Sequence, residues 1–164
     1  MVIENVTYQI KYYKMKSIVL KNSSVIKSFE YVSVSKIFPH EKVIEVRKNS
    51  LKKYLLSYKE YCIIPSIICC SESNMIIDGH HRFITLKELG VKKIPVTFIN
   101  YMDVSVRTHN EKSLQLLKKE LIENSLKNIL FVPKSTVHQI NTMDGSWKPL
   151  ILLSTLAEID LTSI

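Results

Sequence analysis

The residues with the most distinctive chemistry in this chain are Asp78-Gly79-His80-His81-Arg82. An apolar run precedes them and an amphipathic stretch follows, so the pattern predicts a strand, a tight polar turn and a helix. Backbone N–H groups at such a turn and at a helix N-terminus converge on one point, which favours a bound phosphate. The two imidazoles would add cationic donors, and the guanidinium can bind a phosphate through two hydrogen bonds.

Two further polar clusters lie among apolar residues, upstream and downstream of this turn. One is the segment 39–41, which ends in Glu41, and the other is the segment 134–138, which carries Lys, Ser, Thr and His side chains. Each also has an ordinary structural explanation, because a carboxylate near a helix start stabilises the helix dipole and hydroxyl side chains cap local backbone. Taken singly, these two clusters leave structural and functional explanations open.

Periodicity and turn residues predict the elements that must position these clusters. The predicted strands are 30–38, 63–70, 75–77 and 94–100, and the predicted helices lie within 42–60, at 80–89 and at 111–128. The last helix would bury a stripe formed by Leu114, Leu117 and Leu121. The segment 131–138 is predicted as a loop, and the apolar tail 147–164 as a strand or a packing helix. We therefore predict an α/β (α+β) fold with a small mixed sheet flanked by helices.

Composition narrows the classes of partner and compartment. The chain has 164 residues and a net charge of +8, which fits an anionic partner, although most of its lysines are scattered and fit a solvated surface. Cys62, Cys69 and Cys70 are odd in number and form no Cys-x-x-Cys pair, so we expect buried, reduced thiols in a strand, with neither a disulfide framework nor a zinc site. We expect a cytoplasmic protein with no membrane span and no export signal, because no apolar run is long enough.

A resemblance to a known family emerges from three ordered motifs. The pattern I-I-D-G-H-H-R-F-x-x-L-K-x-L-G-V-K-K-I-P-V resembles the ParB/sulfiredoxin superfamily, and within it the free serine kinase family most closely. The segment F-P-H-E-K-V around Glu41 resembles the catalytic-glutamate segment of that family. The segment F-V-P-K-S-T-V-H at 131–138 resembles its C-terminal P-K-[ST]-T-R-H segment.

The resemblance implies a domain organisation and a reaction. A ParB/sulfiredoxin-like catalytic domain would occupy 30–140, with 1–29 as a β-rich extension of unknown role and 141–164 as an apolar tail packed on the domain. The implied reaction transfers a phosphate from ATP or ADP to the hydroxyl of free L-serine and gives O-phospho-L-serine. Mg²⁺ is the implied metal, and the partners are the nucleotide and a hydroxylated amino acid, with nucleic acid less favoured and no membrane.

The resemblance also implies a role for each motif residue. Glu41 would be the general base, and Asp78 would assist by binding Mg²⁺ or orienting the acceptor. Phosphates would be held by Gly79, His80, His81 and Arg82, and the amino acid or its phosphate by Lys134, Ser135, Thr136 and His138.

Departures from neighbouring families refine this interpretation. Sulfiredoxins need a cysteine where this chain has His80, so reduction of a sulfinic acid is not supported. ParB proteins carry several arginines at this turn, and here only Arg82 is present. Val137 stands where the free serine kinases commonly have arginine, which leaves the identity of the substrate open. The alternatives are a ParB-like nucleotide-binding regulatory or nucleic-acid-associated module without kinase activity, or an inactive homologue.

Overall fold

The computed structural model describes residues 19–110, 112 and 114–162. The α-helices are α1 (Glu45–Leu56), α2 (His80–Glu88) and α3 (Lys118–Leu126). The strands are β1 (Ile26–Ser33), β2 (Tyr61–Pro65), β3 (Ile67–Cys70), β4 (Ile76–Asp78), β5 (Lys93–Ile99), β6 (Val106–His109), β7 (Val137–Asn141), β8 (Trp147–Pro149) and β9 (Leu156–Asp160). Short 3₁₀ helices span Ser23–Val25, Val34–Lys36 and Leu150–Leu153.

A four-stranded mixed sheet forms the centre of the molecule, with strand order β1-β5-β3-β4. Strands β3 and β5 are parallel, and the β1–β5 and β3–β4 pairs are antiparallel. All four residues of β3 are buried, as expected of a central strand covered on both faces. The mixed α/β fold predicted from the sequence is therefore confirmed.

Alternate residues of β3 point into two separate hydrophobic cores. Ile67 and Cys69 face a core that contains Phe83 and Leu86 of α2, whereas Ile68 and Cys70 face a second core. The second core contains residues of α3, β6, β7 and the last 3₁₀ helix. Because strand residues alternate between faces, one short strand anchors both layers.

The C-terminal residues complete the fold as strands and a 3₁₀ helix. Strand β9 pairs with β2, and β6-β7-β8 form a separate three-stranded antiparallel sheet. Leu153 and Ile159 are buried, one in each core. The predicted extension 1–29 lies mostly outside the described residues, and β1 begins at Ile26 and crosses the predicted boundary at 30. The division of the chain into three segments stays a prediction.

Two predicted elements differ from the observed ones. The predicted strand 63–70 is two strands, because the chain turns at Ser66 so that β2 pairs with β9 while β3 joins the central sheet. The predicted helix 111–128 begins only at Lys118, and Leu114 and Leu117 are exposed rather than buried. The Asn110 side chain accepts hydrogen bonds from the N–H groups of Lys112 and Leu114, and this local turn replaces the first helical turns.

Two further predictions concern the cysteines and the possibility of a membrane span. Cys62, Cys69 and Cys70 are free and buried in strands, as predicted. Within the described residues, none of the helices has the length and apolar character needed to cross a membrane.

Candidate active site

Gly79 forms the turn between β4 and α2, and both its conformation and its surroundings require glycine. Its φ angle is +103°, in the region that L side chains rarely adopt. A Cβ atom at this position would lie 3.1 Å from Nη2 of Arg82 and 3.2 Å from Cγ1 of Ile67. Glycine therefore lets this turn pack closely against Arg82 and Ile67 at the start of α2, where the strand-turn-helix pattern predicts the turn.

The Arg82 guanidinium is directed at the protein's own oxygen atoms. Nη1 donates to the carbonyls of Pro65 and Ser66 at 2.5 and 2.8 Å, and Nη2 donates to Oδ2 of Asp78 at 2.7 Å. We expected this side chain to grip phosphate, but in the structure three protein oxygens already bind it. These contacts fit a positioning residue that fixes Asp78 and the turn.

His80 and His81 both accept backbone hydrogen bonds through Nε2. The donors are the N–H groups of His40 (3.3 Å) and Ile44 (2.9 Å), respectively. Burial is the main cause that lowers the pKa of both imidazoles, and Arg47 and Lys134 lower that of His81 further, whereas Asp78 raises it. These pKa shifts favour neutral rings rather than the expected cationic donors, and an acceptor at Nε2 leaves the proton of a neutral ring on Nδ1.

Glu41 is buried and held by the turn that precedes β7. The Lys134 N–H donates to Oε1, and the Thr136 hydroxyl donates to Oε2 at 2.8 Å. Lys134 has a φ angle of +62°, a strained conformation for a residue with a side chain. Phe131 pairs with the backbone on both sides of Glu41 and brings this turn to the carboxylate. Burial raises the pKa of Glu41, and the hydrogen bonds from Lys134 and Thr136 oppose that rise.

His40 connects all three motifs from a fully buried position. Its Nδ1 donates to the carbonyl of Ile76 at 2.6 Å, in the strand that leads to the glycine turn. Its Nε2 lies 3.0 Å from Oγ1 of Thr136 and 3.4 Å from Nε2 of His138, and its backbone N–H reaches His80. Burial lowers the pKa of His40 to about 4, so the ring is neutral at pH 7.

A cavity of about 360 Å³ collects most of the predicted site residues. Those that line it are Glu41, Asp78, Gly79, His80, His81, Lys134, Thr136 and His138. Arg82 and Ser135 do not line it. The Arg82 guanidinium binds Asp78 and two backbone carbonyls, and the Ser135 hydroxyl donates to the Val132 carbonyl at 2.7 Å. Val137, the position of the departure from the family motif, lies in the wall.

Sequence reasoning missed several residues of this wall. Arg47 of α1 and the segment 149–151 line the cavity, yet no motif marks either of them. The signal for Arg47 was only its position, since it is a basic residue close to Glu41 in a predicted helix. The segment 149–151 belongs to the apolar tail that resembled no family, so only tertiary packing reveals its contribution.

Glu41 and Asp78 are the two carboxylates that line the cavity, and their hydrogen bonds decide which of them suits a metal ion. Within the described residues, no group of three or more His, Cys, Asp or Glu side chains has a metal-binding arrangement. Both oxygens of Glu41 already accept hydrogen bonds, whereas in the described part of the chain Asp78 uses only Oδ2, for Arg82. One free carboxylate oxygen fits Mg²⁺ that is bound mainly by phosphates and water. Burial raises the pKa of Asp78, and Arg82 partly reverses that rise.

Comparisons with known proteins place this geometry in context. No protein-family model matches the chain. It is 32% identical over 100 residues to an ATP-dependent L-serine kinase of Staphylothermus marinus, covering 54% of this chain and 40% of that protein. It is 39% identical over 83 residues to a ParB-like protein of Sulfolobus acidocaldarius, covering 49% of this chain and 40% of that protein. The aligned segments thus span only about a quarter to two fifths of the length of the curated relatives that the chain matches.

A solved structure extends the likeness to most of the chain. A free serine kinase in complex with AMP superimposes with a TM-score of 0.64 and 12% identity, covering 88% of this chain and 98% of that protein. The fold predicted from the three motifs is confirmed by this superposition. The chain therefore has the fold of a free serine kinase and is similar in sequence, over about half its length, to ATP-dependent L-serine kinases.

Proposed function

We propose that this chain is a kinase that transfers a phosphate from ATP or ADP to the hydroxyl of free L-serine, giving O-phospho-L-serine. The observation that carries the proposal is the meeting of the Glu41 carboxylate, the Gly79 turn and the 134–138 segment around one cavity. The names of the similar proteins favour serine as the acceptor. A module that only binds a nucleotide needs no buried carboxylate beside the Gly79 turn.

Glu41 is suited to act as the general base. Its two oxygens are held by Lys134 and Thr136, so the carboxylate is oriented before substrate binds. The serine hydroxyl oxygen would attack the terminal phosphorus as its proton passes to Glu41, while the bond from phosphorus to the leaving nucleotide oxygen breaks. Phosphoryl transfer needs mainly such positioning and charge neutralisation.

The remaining groups of the cavity are suited to bind the phosphates. The backbone of Gly79 lines the cavity at the N-terminus of α2, where anions are favoured, and the Nδ1–H group of His81 is a further donor. Lys134 and Arg47 are exposed cations of the same cavity. Asp78 would hold Mg²⁺ together with the phosphates, and the bound ion would neutralise the charge of the transferring group.

Mass spectrometry of small-molecule products tests the proposal. The chain is incubated with Mg²⁺, with ATP or ADP, and with serine or another hydroxylated amino acid, and O-phosphoserine is expected. Glu41→Gln should lower kcat by about 10²- to 10⁴-fold, since it removes the base. Glu45→Gln is the matched control, because Glu45 is an exposed carboxylate nearby that lies outside the cavity. Absence of product with both donors and all acceptors would overturn the kinase function, and full activity of Glu41→Gln would overturn the role of Glu41.

The second candidate is a ParB-like nucleotide-binding module without kinase activity. Val137 in the cavity wall, the net charge of +8 and the ParB-like relative favour it. This alternative predicts nucleotide binding without any phosphorylated product. It also predicts an affinity for DNA that falls steeply as salt increases, and a lack of such binding would remove the nucleic-acid-associated form of it.

A further inference from the structure

A second and larger cavity lies against the β6-β7-β8 sheet, and none of the functions above uses it. Its volume is about 1070 Å³. We call it the sheet cleft and define it by six of the residues that line it: Met102, Arg107, Leu117, Lys119, Gln139 and Trp147.

The sheet cleft and the candidate active site are lined by different residues. Thr108 pairs with His138, and these two side chains hydrogen-bond to each other (3.1 Å), with His138 lining the active-site cavity. Arg107 pairs with Gln139, the neighbouring position on each strand. Although Thr108 reaches both His138 and the sheet cleft, none of the described residues lines both cavities, and Arg107 and Gln139 line only the sheet cleft.

A flat cationic platform forms one side of the sheet cleft. The Arg107 guanidinium lies 4.3 Å from the centroid of the Trp147 ring, and its Nε donates to Oε1 of Gln139 at 2.8 Å. The guanidinium is thus held over the indole ring, with no hydrogen bond from its Nη atoms within the described residues. Such a pair of planar groups can stack with a third planar ring and can donate to an anionic group.

The rest of the sheet cleft combines apolar, uncharged polar and positively charged residues. Met102, Val104 and Leu117 are exposed apolar residues of its wall. Lys118 and Lys119 occupy the first turn of α3, where the helix dipole is already positive. The Lys118 Nζ donates to the Asp103 carbonyl at 2.8 Å, whereas Lys119 is exposed. None of the described residues that line the cleft carries a carboxylate.

We propose that the sheet cleft binds a planar aromatic anion of the mononucleotide type. The ring would stack on the platform of Arg107 and Trp147 and would contact the apolar wall. Its phosphate would bind Lys119 and the free Nη atoms of Arg107. The cleft is at the upper end of the volumes of small-molecule sites, which leaves ample room for such a ligand. The proposal does not depend on the kinase function.

Trp147 makes the sheet cleft directly observable, because it is the only tryptophan of the chain. The whole chain is titrated with AMP while tryptophan fluorescence is followed, and the number of bound AMP molecules is measured by calorimetry. We expect a saturable fluorescence change. We also expect weaker binding of adenosine and of inorganic phosphate, each of which supplies only part of the proposed contacts.

Charge-neutralising variants connect the signal with the sheet cleft. Lys119→Gln combined with Arg107→Gln should weaken the fluorescence-detected binding at least ten-fold, and Lys119→Gln alone should weaken it measurably. Lys127→Gln is the matched control, because Lys127 is an exposed lysine at the opposite end of the same helix. Lack of a saturable change, or equal affinity in the double variant and the control, would overturn the proposal.

Stoichiometry keeps this proposal separate from the kinase proposal. If both are right, the wild type binds two AMP molecules, and in the double variant one of the two sites binds at least ten-fold more weakly. If only the sheet cleft binds, the wild type binds one AMP molecule and the double variant binds it at least ten-fold more weakly. If the wild type and the double variant both bind a single AMP molecule with equal affinity, the sheet cleft is refuted and the active-site cavity is not.

Discussion

Replacing His40 by asparagine should remove a large part of the acid sensitivity of this fold. The amide of the introduced asparagine would keep a donor for the Ile76 carbonyl but would not titrate. In the wild type, burial lowers the pKa of His40 from 6.5 to about 4. A histidine whose folded pKa is depressed contributes stability that is present above its unfolded pKa and is lost as the pH falls towards the folded value.

The size of the effect follows from these two pKa values. Each pH unit between 6.5 and about 4 costs the wild type about 1.4 kcal/mol of unfolding free energy, so about 2 kcal/mol is lost between pH 7 and pH 5. His80 and His138 are also buried with lowered pKa values. They titrate in both proteins, so their contribution largely cancels when the wild type and the variant are compared.

Urea unfolding at pH 7 and pH 5, followed by circular dichroism, measures this difference. His40→Asn will be less stable than the wild type at pH 7, and the gap between the two should narrow by about 2 kcal/mol at pH 5. His40→Ala should narrow the gap equally, whatever its stability at pH 7, because it also lacks the titrating ring. A gap that stays constant between the two pH values for both variants would refute a buried neutral His40.

Three further outcomes follow from the geometry of the site. Gly79→Ala should lower the free energy of unfolding in urea by about 1 kcal/mol more than Gly145→Ala does. Both glycines have positive φ, but of the two only Gly79 has neighbours within 4 Å of the added Cβ, so equal losses would contradict this prediction. Thr136→Val should move the ascending limb of the rate–pH profile to higher pH, because it removes a hydrogen bond that lowers the pKa of Glu41, and an unmoved limb would exclude that contact. Arg82→Lys should lower the free energy of unfolding by about 2 kcal/mol, because lysine lacks the guanidinium group that donates to two carbonyls and a carboxylate. An unchanged free energy of unfolding would argue against the positioning role of Arg82.

The elements of the central sheet could be predicted from local signals. An apolar run, an Asp-Gly turn and an amphipathic stretch ending at Gly90 predict β4 and α2 closely, because each signal acts within a few residues. The helix at 111–128 was predicted too long for the same reason. The helical spacing of the leucines is visible in the sequence. The competing turn depends on hydrogen bonds from the N–H groups of Lys112 and Leu114 to the Asn110 side chain, and leucine spacing does not reveal these bonds.

The membership of the candidate site could be predicted, but the orientation of its side chains could not. Eight of the predicted residues line one cavity. Arg82 was expected to face a phosphate, yet it bonds the carbonyls of Pro65 and Ser66, which are 17 and 16 residues away in the chain. Such partners depend on how β2 and β3 pack beside α2, and no local pattern encodes that packing.

The sequence by itself determined which chemical groups this protein has and the order in which they occur: a carboxylate, a glycine turn with imidazoles, and a hydroxyl-rich segment. Tertiary structure alone decided their charge and direction. Burial lowers the pKa of His40, His80 and His81, because an imidazolium loses its hydration in the interior. The pairing of Phe131 with the backbone beside Glu41 brings the Lys134 N–H to that carboxylate across 93 residues of sequence, and only the folded chain makes this contact.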